Sequence, residues 1–107
     1  MPLMRGRIVG YDAERMTFQF TMLNEGETVE CWISSAAMDE IAGKRGLLPA
    51  QREAQFLELR EEIERIASDI FDGVTIVRGA VVRVFAKHIR SRIEALRLRI
   101  ALKHRRQ

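Results

Sequence analysis

A single cysteine, Cys31, is all that the 107-residue chain contains, and one thiol rules out an internal disulfide. Nothing here demands an oxidising compartment. Long apolar runs are also missing: no stretch approaches the ~18 residues of a spanning helix. The opening MPLMRGRIVGYD has no apolar signal region. These absences lead us to expect a soluble, cytoplasmic protein with no membrane partner. Phosphate loops are lacking too. There is neither a Gly-x-Gly-x-x-Gly nor a Walker pattern, and RGRIVG offers only Gly6 and Gly10 in a strand context.

Metal and catalytic patterns are equally scarce. The soft ligands are Cys31, His88 and His104, with no Cys-x-x-Cys among them. The two histidines are sixteen residues apart, which places them on different faces of one helix. No metal and no cofactor is expected. Cys31 falls on the inward face of a strand, where a thiol behaves as a small hydrophobe. Ser34 and Ser35 suit a helix cap better than a nucleophile. The neighbouring carboxylates Asp39-Glu40 and Glu61-Glu62 diverge by about 100° on a helix and read as solvated faces. The expectation is a protein that is not an enzyme, with no catalytic residues to name and no small-molecule substrate identified.

What is present is a folded-protein composition, 47% hydrophobic and 31% charged. The net charge of +3 hides an asymmetry. Residues 1–86 carry 10 Lys or Arg against 14 Asp or Glu, a balance of −4. Residues 87–107 carry 8 against Glu94 alone, a balance of +7. The body is mildly acidic and the basicity belongs to the tail.

Periodicity outlines the fold. RMTFQFTM at 15–22 alternates, with Met16, Phe18, Phe20 and Met22 on one face. TVECWI at 28–33 follows a short link containing Asn24 and Gly26, which suits a hairpin, and Val29, Cys31 and Ile33 share its buried face. RGRIVGYD precedes them as a weaker strand that turns at 12–14. Ser34 is placed as the N-cap of a short helix that buries Met38, Ile41 and Ala42 and stops at Gly43. From Pro49 a long helix runs to about residue 72, its seam formed by Phe56, Leu59, Ile63, Ile66 and Ile70. Arg60–Glu64 and Glu61–Arg65 are spaced as i,i+4 pairs along it. VTIVRGAVVRVFAKHI is β-branched, with Gly79 as a split or bulge and a fourth strand at about 80–87. A closing helix runs from about 88 to 104.

The predicted architecture is α+β. An antiparallel sheet, three N-terminal strands plus one late strand, is packed by two helices, with a basic C-terminal helix following. Residues 1–88 form the domain and 89–107 a basic amphipathic extension.

Tyr11-Asp12 with Arg15, the CWIS step at Cys31 to Ser34, the IERIA helix at Ile63 to Ala67 and a strand ending near KHI together resemble a family of small bacterial proteins, domain-of-unknown-function family 1488. The resemblance covers about residues 5–89. It implies an α+β fold and no activity. The tail from Arg90 onward extends past where typical members of that family end.

Two features point outward. Trp32 shares a face with Thr28 and Glu30, opposite Cys31 and Ile33. An indole there requires a cover. Either a loop or the closing strand covers it, or the second face of the sheet binds the C-terminal helix, a second subunit or another partner. In the tail, Ile89, Ile93, Leu96 and Ile100 lie within about 60° on a helical wheel, while Leu98 and Leu102 lie behind. A helix this short is marginal alone in water, so something is expected to pack on it.

The reading we favour is protein–protein contact, most simply a homodimer, through Ile89, Ile93, Leu96, Ile100 and Trp32. The alternative is sequence-indifferent nucleic-acid binding through Arg90, Arg92, Arg97, Arg99, Arg105 and Arg106. Against that alternative, the tail has no aromatic residue for stacking and no helix-turn-helix or zinc-finger pattern precedes it. A solvated extension or a membrane-surface helix would be a third and a fourth reading. The stripe has no Trp or Phe anchor for the last.

Overall fold

The structure is a computed structural model and describes residues 3–73 and 80–105, without the side chains of residues 96 and 103–105. Three strands open it: β1 (Met4–Asp12), β2 (Thr17–Asn24) and β3 (Glu27–Ser34). They are followed by α1 (Ser35–Ala42), a single 3-10 turn at Pro49–Gln51 and α2 (Arg52–Gly73). β4 (Val82–Val84) and α3 (Ala86–Arg105) complete the chain. The sheet order is β1-β2-β3-β4.

The alternation is realised at Phe18, Phe20 and Met22 of β2 and at Cys31 and Ile33 of β3, with Val29 partly buried. Phe18, Phe20, Met22, Cys31 and Ile33 are buried together against Met38 of α1 and Phe56, Ile63 and Ile66 of α2. Phe56 stacks on Phe18 with ring centroids 4.5 Å apart and meets Phe20 at 4.9 Å. Burial of three aromatic rings at one point gives the core its anchor. The helices therefore share one face of the sheet, and Gln19, Trp32 and Arg83 stand on the other.

Local chemistry sets the turns. Glu25 and Gly26, at φ 51° and 86°, are the two loop residues between the paired Asn24 and Glu27. Two consecutive positive φ values form the hairpin turn whose twist matches its strands. Ser34 caps α1 as expected, accepting from the Ala37 N–H at 3.1 Å, and Gly43 ends that helix at φ 67°. The Gln51 side chain accepts from the Leu48 N–H at 2.8 Å, beside Pro49 at the first position of its turn.

Several expectations need correction. Met16 is not on the buried face of a strand but in the β1–β2 turn, 59% exposed with φ 52°. The cause is Asp12. Its Oδ1 accepts from the Glu14 and Arg15 N–H groups, both at 3.1 Å, so the turn uses the chain through Met16. The Met16 carbonyl instead accepts from the Ser35 N–H and hydroxyl, tying the turn to α1.

Arg60 pairs with Glu64 at 3.2 Å, but Arg65 turns to Glu62 at 3.0 Å rather than to Glu61.

The fourth strand is three residues long and runs parallel to β3, Trp32 opposite Arg83. The sheet is thus antiparallel in two of its pairings and parallel in the third. A parallel neighbour requires a crossover, and α1 and α2 lie within it, between β3 and the edge strand that pairs with it. The proposed role of Gly79 lies outside the described residues.

Candidate functional site

α3 starts at Ala86, earlier than its apolar spacing indicated, because Phe85 and His88 satisfy one another. The Phe85 N–H donates to His88 Nδ1 at 2.9 Å and the His88 N–H to the Phe85 carbonyl at 3.0 Å. This closes the first turn, where free amides need partners.

The four residues of the anticipated seam part company along the helix. Ile89 is 3% exposed and belongs to the core, so it docks within its own chain. Ile93 and Ile100 are 36% and 49% exposed, and the Leu96 side chain lies outside the description. Leu98 and Leu102, on the back, are exposed as well.

The cations divide in the same way. Arg92 is held at the root, 2.7 Å from Asp69 and 3.8 Å from Glu62 on α2. Arg90, Arg97 and Arg99 are exposed and form no ion pair among the described residues. The Arg105 side chain and all of Arg106 lie outside the description. The helix is therefore rooted by its first two turns and projects apolar and cationic side chains beyond them.

The body presents an acidic counterpart. A groove of about 410 Å³ between β1 and α2 is floored by Leu3 and Met22 and rimmed by Glu61, Glu64, Asp69 and Asp72. Arg5 and Arg65 also line it. Arg5 is already engaged by Glu64 through hydrogen bonds of 2.8 and 3.0 Å. Those bonds, and the charge of the carboxylate, raise the Arg5 pKa further.

Trp32 does not join the α3 residues. It stands on the outer face of the sheet, between Gln19 on β2 and Arg83 on β4 in the cross-strand register. Two guanidinium groups lie over its ring, Arg83 at 5.4 Å and Arg15 at 5.5 Å from the centroid. Both are within cation–π range. The cover that the indole requires thus comes from the closing strand and the β1–β2 turn. Arg15 is itself fixed by Asp12 at 2.9 Å. Hydrogen bonds from the Arg15 backbone and side chain hold the Asp12 carboxyl below its ordinary range.

A cavity of about 310 Å³ opens there, lined by Trp32, Arg15, Arg83, Thr17, Ser34 and Phe85 along with Val84. Reading the sequence alone misses both arginines. Arg83 carries a signal, since V-R-V alternation places it on the wet face. Its position beside Trp32 depends on a long-range register. Arg15 reaches the indole only through the turn that Asp12 builds.

Cys31 and Asp39 are both tied into the fold. Burial pushes the Cys31 thiol up to about 12, the charge of Glu64 adding to it, so the thiolate that does chemistry is scarce at neutral pH. Asp39 is not a solvated carboxylate as expected. It accepts from Arg52 at 2.6 Å and from Gln55 at 3.1 Å. No group of three or more His, Cys, Asp or Glu able to hold a metal occurs among the described residues. None of their helices is long and apolar enough to cross a membrane.

Comparison with known proteins places these features. No curated protein matches the chain. A solved structure that is similar, a protein of unknown function of the DUF1488 family from Shewanella loihica PV-4, shares 17% identity. It aligns with a TM-score of 0.66 over 77% of this chain and 90% of its own. That likeness supports the same fold. The model of a family described as "Protein of unknown function (DUF1488)" matches residues 6–79, a span that contains the hairpins, Trp32 and α2 and ends before β4 and α3. The chain belongs to the DUF1488 family.

Proposed function

We propose that this protein is a non-enzymatic cytoplasmic protein that works through protein contacts, and that its partner is a second copy of itself. The distal half of α3 from each protomer lies in the acidic groove between β1 and α2 of the other. One observation carries this reading: beyond Arg92 the helix leaves the body with Ile93 and Ile100 partly open to solvent and Arg97 and Arg99 unpaired among the described residues.

Charge selects the seat. Two α3 helices side by side would set Arg97 and Arg99 of one against the same residues of the other, a repulsive arrangement. The groove instead offers an apolar floor and two carboxylates, Glu61 and Asp72, that form no ion pair among the described residues, while Glu64 and Asp69 are held by Arg5, Arg60 and Arg92. Lengths also agree. From Ile93 to Arg105 the helix spans about 18 Å, and from Glu61 to Asp72 the groove wall spans about 17 Å. Because each body carries both elements, the exchange closes as a two-fold dimer.

The test is light scattering coupled to size exclusion on the full chain. A dimer is expected. It should become monomeric with Ile93→Asp and Ile100→Asp, and also with Arg97→Glu and Arg99→Glu. Mixing the latter variant with Glu61→Arg and Asp72→Arg should restore association between the two. A full-length chain that stays monomeric at every concentration would refute the proposal.

Arg90, Arg97 and Arg99, exposed and without an ion pair among the described residues, also favour a second reading, electrostatic binding of nucleic acid. That reading requires affinity to fall with salt at a log–log slope of about −0.9 per phosphate neutralised. Association through the apolar stripe depends far less on salt.

A further inference from the structure

We propose that the outer face of the sheet holds a small-ligand site in which Trp32, Arg15 and Arg83 bind a planar ring carrying a phosphate, the chemistry of a nucleotide. The site is separate from α3 and does not rest on the self-association reading.

The donor inventory points to the anion. Arg15 and Arg83 can only donate. The Ser34 oxygen already accepts from the Ala37 N–H at 3.1 Å, which leaves its proton free to be given. The Thr17 hydroxyl accepts from the Gln19 amide at 3.5 Å and is in the same position. No carboxylate lines the cavity. Asp12 lies outside the lining and pairs with Arg15 at 2.9 Å while accepting from the Glu14 and Arg15 N–H groups, so the uncompensated charge of the cavity is that of Arg83. Glu30 shares the outer face two residues before Trp32 but does not line the cavity. Arg83 has no carboxylate partner among the described residues. Two guanidinium groups and two hydroxyls free to donate, with no carboxylate in the lining, match a group with several acceptor oxygens, and guanidinium groups suit phosphate geometrically.

The ring follows from the apolar part of the lining. The exposed Phe85 presents aromatic surface beside those donors, and the half-buried Trp32 lines the cavity beneath the two guanidinium groups; a base stacks on aromatic rings and on guanidinium planes without sequence preference. At about 310 Å³ the cavity lies at the lower end of the ~300–1,000 Å³ typical of small-molecule sites. A mononucleotide, free or at the end of a single strand, shares this chemistry.

Trp32 is the one tryptophan of the chain and therefore reports its own site. The experiment titrates AMP into the full-length protein, following indole emission with excitation at the red edge and, in parallel, equilibrium dialysis. Saturable binding is expected in both, with a dissociation constant on the order of 0.1–1 mM. Arg83→Glu should weaken it by about tenfold or more while moving the thermal melt little, since Arg83 is exposed, has no ion pair among the described residues and loses only its cation–π contact with Trp32. Inorganic phosphate should compete, and adenosine should bind more weakly than AMP. A short oligodeoxyadenylate that binds more tightly than AMP assigns the site to strand ends; equal or weaker binding assigns it to free nucleotides. No saturable AMP binding in either measurement would overturn the proposal. So would binding that Arg83→Glu leaves unchanged, or adenosine that binds as tightly as AMP.

Discussion

The guanidinium of Arg52, at the first turn of α2, lies 2.6 Å from Asp39 Oδ1 on α1 and 2.7 Å from Gln55 Oε1. Both partners of the ion pair are largely shielded, at 7% and 17% side-chain exposure, and Arg52 Nε is buried without a partner. This is the polar clasp between the two helices that cover the core. Removing one partner leaves the other charge shielded and uncompensated, so Arg52→Ala should cost about 2–3 kcal/mol, below the upper range for a fully buried pair. Chemical denaturation of the two proteins checks it, with the midpoint shifting at constant slope.

The same clasp sets a pH dependence. Burial acts to raise the Asp39 pKa, but hydrogen bonds from Arg52 and Gln55 and the charges of Arg52 and Arg45 outweigh it, and the net shift is downward. A carboxyl whose folded pKa is depressed stabilises the fold above its unfolded value of about 3.9. That contribution is lost as pH falls through the lower folded value. Melting temperature measured downward from neutral pH should therefore decline below about pH 4. Asp39→Asn should be less stable at neutral pH and show a shallower acid decline.

Gly6 sits where β1 bulges. A Cβ built there would lie 2.5 Å from both the carbonyl oxygen and the hydroxyl of Thr21. The neighbouring Arg7 N–H donates to that hydroxyl at 2.8 Å, so the side chain of Thr21 stands in for a ladder acceptor. Gly6→Ala must push β1 off β2 and should cost about 2–3 kcal/mol. Thr21→Ala should not rescue it, because the backbone oxygen remains. Amide exchange along β1 would show the loss directly.

Within α3, neighbouring isoleucines should respond oppositely. Ile89→Asp places a charge in the core and should unfold the protein or cost about 3 kcal/mol or more. Ile93→Asp falls on a partly open surface and should change stability by ~1 kcal/mol or less while abolishing association. Thermal melts beside light scattering separate the two effects.

Cys31, buried and with its thiol pushed up to about 12, should resist alkylation in the native protein at neutral pH. Labelling should proceed only at the rate of opening of the core. Rapid native labelling, matching a free thiol, would contradict the placement of β3.

Local pattern determined much of this protein. The period-two alternation of β2 and β3, the Ser34 cap, the Gly43 stop and the seam of α2 each depend on residues within a turn or two of one another, and their elements formed where the spacing places them. The family was legible in the same segments. Tertiary structure decided the rest. Whether β4 would pair parallel depended on where the crossover returned it. That return alone brings Arg83 to Trp32, fifty-one positions earlier. Asp12 shortened β2 and lifted Met16 out of the core through side-chain bonds that alternation does not register. The seam of α3, uniform on a helical wheel, was divided at Arg92 because only its first turns reach α1 and α2. An apolar stripe records what a helix can bury, while the length of the body beneath it decides how much is covered.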